Sequence, residues 1–132
     1  MGLNDENRGT LVEMYIAKAY QNFMEMEVAV TAEMWGMAAN RLYYALYHAT
    51  SALFVKDGIP VGSHRGTKAT FGQYYIITGK FPADFAKLLS QMETLRDKAD
   101  YNIMFVATRD QIVTKIEPAK AFIKTIEEYV RS

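Results

Sequence analysis

Asn40-Arg41-Leu42-Tyr43-Tyr44-Ala45-Leu46-Tyr47-His48-Ala49 is the stretch on which the fold turns. At about 100° per residue, Leu42, Ala45, Leu46, Ala49 and Leu53 gather into one apolar stripe of a helix. Arg41, Tyr44, His48, Ala52 and Val55 form a second stripe on another face. A helix apolar on two faces has to be covered twice, by other helices or by a second subunit. Arg41 and His48 lie two turns apart on that second face, roughly 10 Å along the axis. Either they pair with buried partners or they line a site.

Outward from this helix, the remaining pattern is helical throughout. A first helix is expected from Asp5 to about Thr31, with Leu11, Tyr15, Ala19, Phe23, Met26 and Val30 on one face. The second runs from about Met34 to Lys56 and stops at Gly58 and Pro60. Ser63 can cap a third helix reaching about Thr78, with Gly79 as its stop. Pro82 suits the first turn of a fourth, which carries Phe85, Leu88, Leu89, Met92, Leu95 and Ala99 inward. Thr108 and Gln111 form a capping-box pattern that opens a fifth, and Pro118 is expected to kink or split that helix. Only Tyr74-Tyr75-Ile76-Ile77 is β-prone, and it sits inside a helical frame. The pattern predicts one all-α domain over residues 1–132, an up-and-down bundle of four to five helices.

Composition narrows the function classes. Fifteen basic residues balance fifteen acidic ones, so no global field drives binding to nucleic acid or an acidic membrane. Any such binding needs a local patch. The chain has no cysteine, hence no disulfide, thiolate ligand or thiol nucleophile, which suits a reducing cytoplasm. No run of about 18 apolar residues is available to span a bilayer. A P-loop is absent, neither His follows a Glu by three residues as in di-iron bundles, and two histidines make a dedicated metal site improbable. No metal or cofactor is expected.

Three groups of residues carry usable chemistry. Arg41 and His48 can be a structural pair, or a phosphate clamp and a general base of the kind RNA cleavage requires. Ser63-His64-Arg65-Gly66-Thr67-Lys68 places cations at a helix start, where the dipole disfavours them. A bound phosphate near His64, Arg65 and Lys68 would resolve that conflict; a solvated basic turn is the plainer reading. Finally, Arg96 and Asp100 are four apart near the end of the fourth helix, beside Tyr101. They can form an ordinary intrahelical ion pair, or fix a polar pocket that uses the phenol as donor and acceptor.

Taken in order, Ala39 to Ala49, Ser63-His64-Arg65-Gly66 and Leu95-Arg96-Asp97-Lys98-Ala99-Asp100-Tyr101 resemble a HEPN-domain protein of the short, stand-alone bacterial branch. The opening Gly2 to Arg8 is similar as well, so the likeness covers nearly the whole chain. The resemblance implies a homodimeric helical bundle with a polar cleft at or near the dimer interface. It also implies a nucleotide, an RNA or a nucleotidyltransferase-type protein as partner. Many relatives are metal-independent endoribonucleases, some of them toxins of toxin–antitoxin pairs, that use Arg, four to six residues, then His. Here that Arg corresponds to Arg96, but Tyr101 stands where the His is expected. With the usual proton-transfer group gone, the resemblance points first to a noncatalytic or weakly catalytic binding module. A ribonuclease toxin, with His48 or His64 reaching Arg96, and a self-associating scaffold built on the second helix are the alternatives.

Overall fold

The computed structural model describes residues 4–132, except for the side chain of Arg65. The Arg65 part of the basic helix start, and the first residues of the opening likeness, therefore lie outside the described residues. Five α-helices follow one another: α1 (Asp5–Thr31), α2 (Trp35–Asp57), α3 (His64–Phe71), α4 (Ala83–Tyr101) and α5 (Arg109–Val130). Among the described residues there is no strand, and the fold is the all-α bundle expected. No described helix is long and apolar enough to cross a membrane.

Each helix begins and ends for a local reason. Asn4 caps α1 by accepting the Asn7 amide at 2.7 Å. Gly58, at φ 73°, takes the left-handed conformation that ends α2. At α5 both halves of the capping box form: Gln111 N–H donates to Thr108 Oγ1, and Thr108 N–H donates to Gln111 Oε1 at 2.8 Å.

Helix α2 is the centre of the molecule. It pairs along its length with α1, and α4 and α5 pack on its other side. The first of its two faces is covered completely within the chain, and the second only in part. Leu42, Tyr43, Ala45, Leu46, Ala49 and Leu53 are essentially inaccessible. His48 and Ala52 lie toward α1, while Tyr44 and Tyr47 stay half-buried beside Arg96 of α4 and His64 of α3.

Two expectations are corrected. The third helix does not run unbroken to Thr78: α3 ends at Phe71, and a π-helical turn follows over Gly72–Ile76. Ile77 N–H reaches back to Gly72 O at 3.0 Å. The extra residue in that turn re-aims Tyr75 inward, where its ring stacks with Phe54, Phe71 and Phe81 and its hydroxyl donates to Asp57 at 2.6 Å. Pro118 does not split α5, which continues through it from Arg109 to Val130. Pro118 and Thr114 are both exposed, so the carbonyl deprived of its amide partner can turn to water.

Candidate functional site

Arg96 sits on the inner face of α4, beside Met92 and Leu89, at a position where the helix buries its apolar side. A guanidinium there must be compensated, and aromatic faces do much of it. The Arg96 carbon centre lies 5.0 Å from the Tyr43 ring, 5.6 Å from Tyr44 and 5.7 Å from Tyr101. Asp97 Oδ1 is 3.0 Å from Nη2, Asp100 Oδ2 is 4.0 Å from Nη1, and Nη1 donates to the Tyr101 hydroxyl at 3.4 Å. Burial opposes the charge on Arg96, but Asp97 and the tyrosine rings outweigh it and raise its pKa above the ordinary value. The cation is permanent.

The hydrogen bonding around Arg96 is incomplete. Its Nε is buried without a hydrogen-bond partner, and so is Oδ1 of Asn40. Asn40 is tied to the same place by donating through Nδ2 to Asp100 Oδ2 at 2.9 Å. A donor and an acceptor buried without partners around one carboxylate are unusual, since native interiors satisfy nearly all such groups.

His64, the first residue of α3, turns into this cluster. Its Nδ1 is 2.9 Å from the Tyr43 hydroxyl, and its ring centroid is 4.4 Å from that of Tyr47. Burial, and then the nearby Arg96 charge, lower the His64 pKa below its usual 6.5. Burial raises that of Tyr43. The imidazole is therefore neutral and the phenol protonated at pH 7, which assigns Tyr43 as donor and puts the imidazole proton on Nε2. Arg96, Tyr43 and His64 form a continuous chain of contacts from α4 through α2 to α3.

The other residues singled out from the sequence divide between this cluster and elsewhere. Asp100 and Tyr101 belong to it, and the Tyr101 ring is 77% exposed, so it can receive a flat partner. Lys68 forms an ion pair with Glu93 at 3.5 Å, and the Ser63 hydroxyl accepts the Gly66 amide at 3.2 Å. Ser63 thus caps one amide of the helix start, and Lys68 is tied across to α4.

Arg41 and His48 face α1 instead. Arg41 is half-exposed and pairs with Glu25 at 3.5 Å. His48 Nδ1 donates to Asn22 Oδ1 at 2.7 Å, and Asn22 in turn donates to Glu25 Oε1 at 3.0 Å. Burial lowers the His48 pKa, so the imidazole is neutral. Among the described residues Arg41 forms no ion pair or hydrogen bond with the Arg96 cluster. His48 reaches it only through rings, at 6.0 Å from Tyr44 and 5.5 Å from Tyr47. These two residues join α2 to α1.

Sequence reasoning missed Asn22, Asn40 and Asp97. Asn22 carried a signal, since it lies one turn from Ala19 and Met26 on the buried face of α1. A lone amide on a buried stripe needs a partner.

The HEPN domain model matches residues 12–129. The chain belongs to the HEPN domain family. It is similar to a "UPF0332 protein" of Thermotoga maritima, 26% identical over 91% of each chain. It is also similar to two proteins of Methanocaldococcus jannaschii. "Putative toxin MJ0605" is 23% identical over 91% of this chain and 89% of the relative. "Putative toxin MJ0142" is 21% identical over 92% of this chain and 82% of the relative. The matched region contains the whole Arg96–Tyr43–His64 chain of contacts, together with Tyr101.

Proposed function

We propose that this HEPN domain binds a phosphate-bearing ligand, a nucleotide or the phosphate of an RNA strand, at Arg96. The observation that carries this reading is a permanent, buried guanidinium whose Nε has no partner, flanked by the exposed ring of Tyr101. Arginine presents a fork suited to phosphate oxygens, and an exposed aromatic ring stacks a base at about 1–3 kcal/mol. Asn40 Oδ1 would accept a hydrogen bond from a sugar hydroxyl or a base amino group. A nucleotidyltransferase-type protein that presents a nucleotide to this surface is the protein partner that fits the same chemistry.

Calorimetric titration with AMP, ATP and a short RNA, with and without a 5′-phosphate, tests the reading. Phosphate-bearing ligands should bind, Arg96→Met should abolish binding, and Tyr101→Ala should weaken it without abolishing it. Equal binding by the Arg96→Met protein, or none by the wild type, would overturn it.

A second reading is favoured by the names of the two M. jannaschii relatives. In a ribonuclease toxin, Arg96 would hold the scissile phosphate and the neutral His64 would take the proton of the 2′-hydroxyl. Growth arrest on expression, relieved by Arg96→Ala and by His64→Ala but not by Arg41→Ala, is the expected pattern. Undisturbed growth and intact cellular RNA would dismiss it.

A further inference from the structure

The outer side of α4 carries a groove that the Arg96 cluster does not use. It runs between α4 and the start of α5, holds about 410 Å³, and has Leu95 and Phe105 as its apolar lining. Lys87 and Lys98 stand at its two ends along α4, roughly 16 Å apart. Lys98 follows Arg96 by two residues, about 200° around the helix, so groove and guanidinium lie on opposite sides. The charge of the groove is one-sided, although the whole chain balances fifteen basic against fifteen acidic residues. Among the described residues no carboxylate lines it. Lys87 makes no ion pair there, and the Lys98 ammonium meets only the Phe105 ring, 5.9 Å from its centroid. A smaller hollow next to it adds Lys115, which donates to the neutral Gln91 at 2.9 Å, with Asp84 as its one lining acid. The loop that supplies Phe105 is bare, with Ile103 98%, Met104 87% and Val106 80% exposed. Large apolar side chains grouped in water mark protein contact surfaces.

We propose that groove and loop dock a segment of a different protein, one that carries a large apolar side chain flanked by aspartates or glutamates. The apolar side chain rests on Leu95 and Phe105, and the flanking acids meet Lys87 and Lys98. Ile103, Met104 and Val106 then gain the apolar cover that nothing in this chain gives them. Charge complementarity selects an acidic partner, since lysines without carboxylates steer anionic segments toward them. RNA suits the lysines but not the rest of the surface. Phosphates gain nothing from three bare apolar side chains. The Phe105 ring is half-buried with an ammonium beside it, and is not open for a base to stack. Because the surface lies on the outer side of α4, the proposal stands whether or not Arg96 binds phosphate.

Selection from a random peptide-display library on the full chain tests this, with the Lys87→Glu/Lys98→Glu protein for counter-selection. Enriched peptides should carry Asp or Glu on both sides of a large apolar residue. As synthetic fluorescent peptides they should lose at least about tenfold in affinity for the charge-reversed protein, and bind wild type more weakly as salt rises. Ile103→Ser should weaken them as well. The same peptides with Lys in place of each acid should prefer the charge-reversed protein, which also shows that this variant is folded. No enrichment, enriched peptides without acids, or equal affinity for the charge-reversed protein would overturn the proposal. Two further results would reassign the groove and overturn it too. A short labelled RNA that loses binding in the lysine variant, while the peptides do not, would make it a nucleic-acid track. A change in the sedimentation of the chain alone on charge reversal would make its occupant a second copy.

Discussion

The Arg96 guanidinium rests 5.0 Å from the ring centroid of Tyr43, joining α4 to α2 at the one point where, among the described residues, a charge enters the core of this bundle. The contact also reaches α3, because the ring that holds the cation hydrogen-bonds His64 through its hydroxyl.

Arg96→Ala removes three ring contacts and the aliphatic stem that packs beneath them. Folding should weaken by about 1–3 kcal/mol, seen as a lower urea midpoint. Arg96→Lys should recover only part of this, since an ammonium cannot stack flat on a ring as a guanidinium does. If the lysine variant matches wild type, the planar stacking is not what holds the residue.

Stability should fall on mild acidification. His48 and His64 both have folded-state pKa values lowered below 6.5, chiefly by burial, with Lys18 adding to the effect at His48 and Arg96 at His64. The unfolded chain therefore takes up protons at a pH where the folded one still resists them. Their contribution is fully present above the unfolded value of 6.5 and is lost as pH falls through the depressed folded values. Urea midpoints measured between about pH 7.5 and about pH 5.5 should decline steadily. His48→Gln and His64→Gln should each flatten the decline.

The sequence was most informative where a single residue type decides the backbone. Gly58, Ser63, Thr108 and Gln111 all act at helix ends as expected, because a cap depends only on residues three or four positions away. Inward faces were legible to within about one residue, since a buried stripe is wide. The site was less legible. Arg96, Asp100 and Tyr101 are neighbours on one turn, but Tyr43 and His64 are 21 residues apart and meet only after α3 folds back onto α2. Arg41 and His48 looked like a pair because helical spacing puts them on one face. Spacing does not say what lies opposite, and α1 brought Glu25 and Asn22.

Asp57 is a small anchor with a large reach. Its Oδ2 accepts hydrogen bonds from Tyr75 at 2.6 Å and Tyr129 at 2.8 Å, tying the end of α2 to the π-helical turn and to α5. Asp57→Ala leaves the buried Tyr75 hydroxyl without an acceptor and should cost about 1–3 kcal/mol. Asp57→Asn retains a carbonyl oxygen and should cost less. Thermal unfolding of the two variants, with Tyr75→Phe in both backgrounds, separates the bond from the burial. If the Asp57→Ala loss persists undiminished when Tyr75 is already Phe, the hydroxyl is not the reason.

Pro118 is the clearest place where the chain forgoes stability. It lies in the interior of α5, where it supplies no amide and its ring crowds the carbonyl of Thr114 one turn earlier. The helix nevertheless continues, because Ile112, Ala119, Phe122, Ile123, Ile126 and Val130 pack it into the core on both sides of the proline. Burial of those side chains outweighs one missing hydrogen bond, since each large apolar residue contributes about 1.5–3 kcal/mol. Pro118 points to solvent, so Pro118→Ala removes no core contact and restores the bond to Thr114. The variant should be more stable by about 1–3 kcal/mol, with an unchanged fold by circular dichroism and a higher Tm. A destabilised Pro118→Ala protein would mean that the proline is required for the course of α5, with a bend that the packed face depends on.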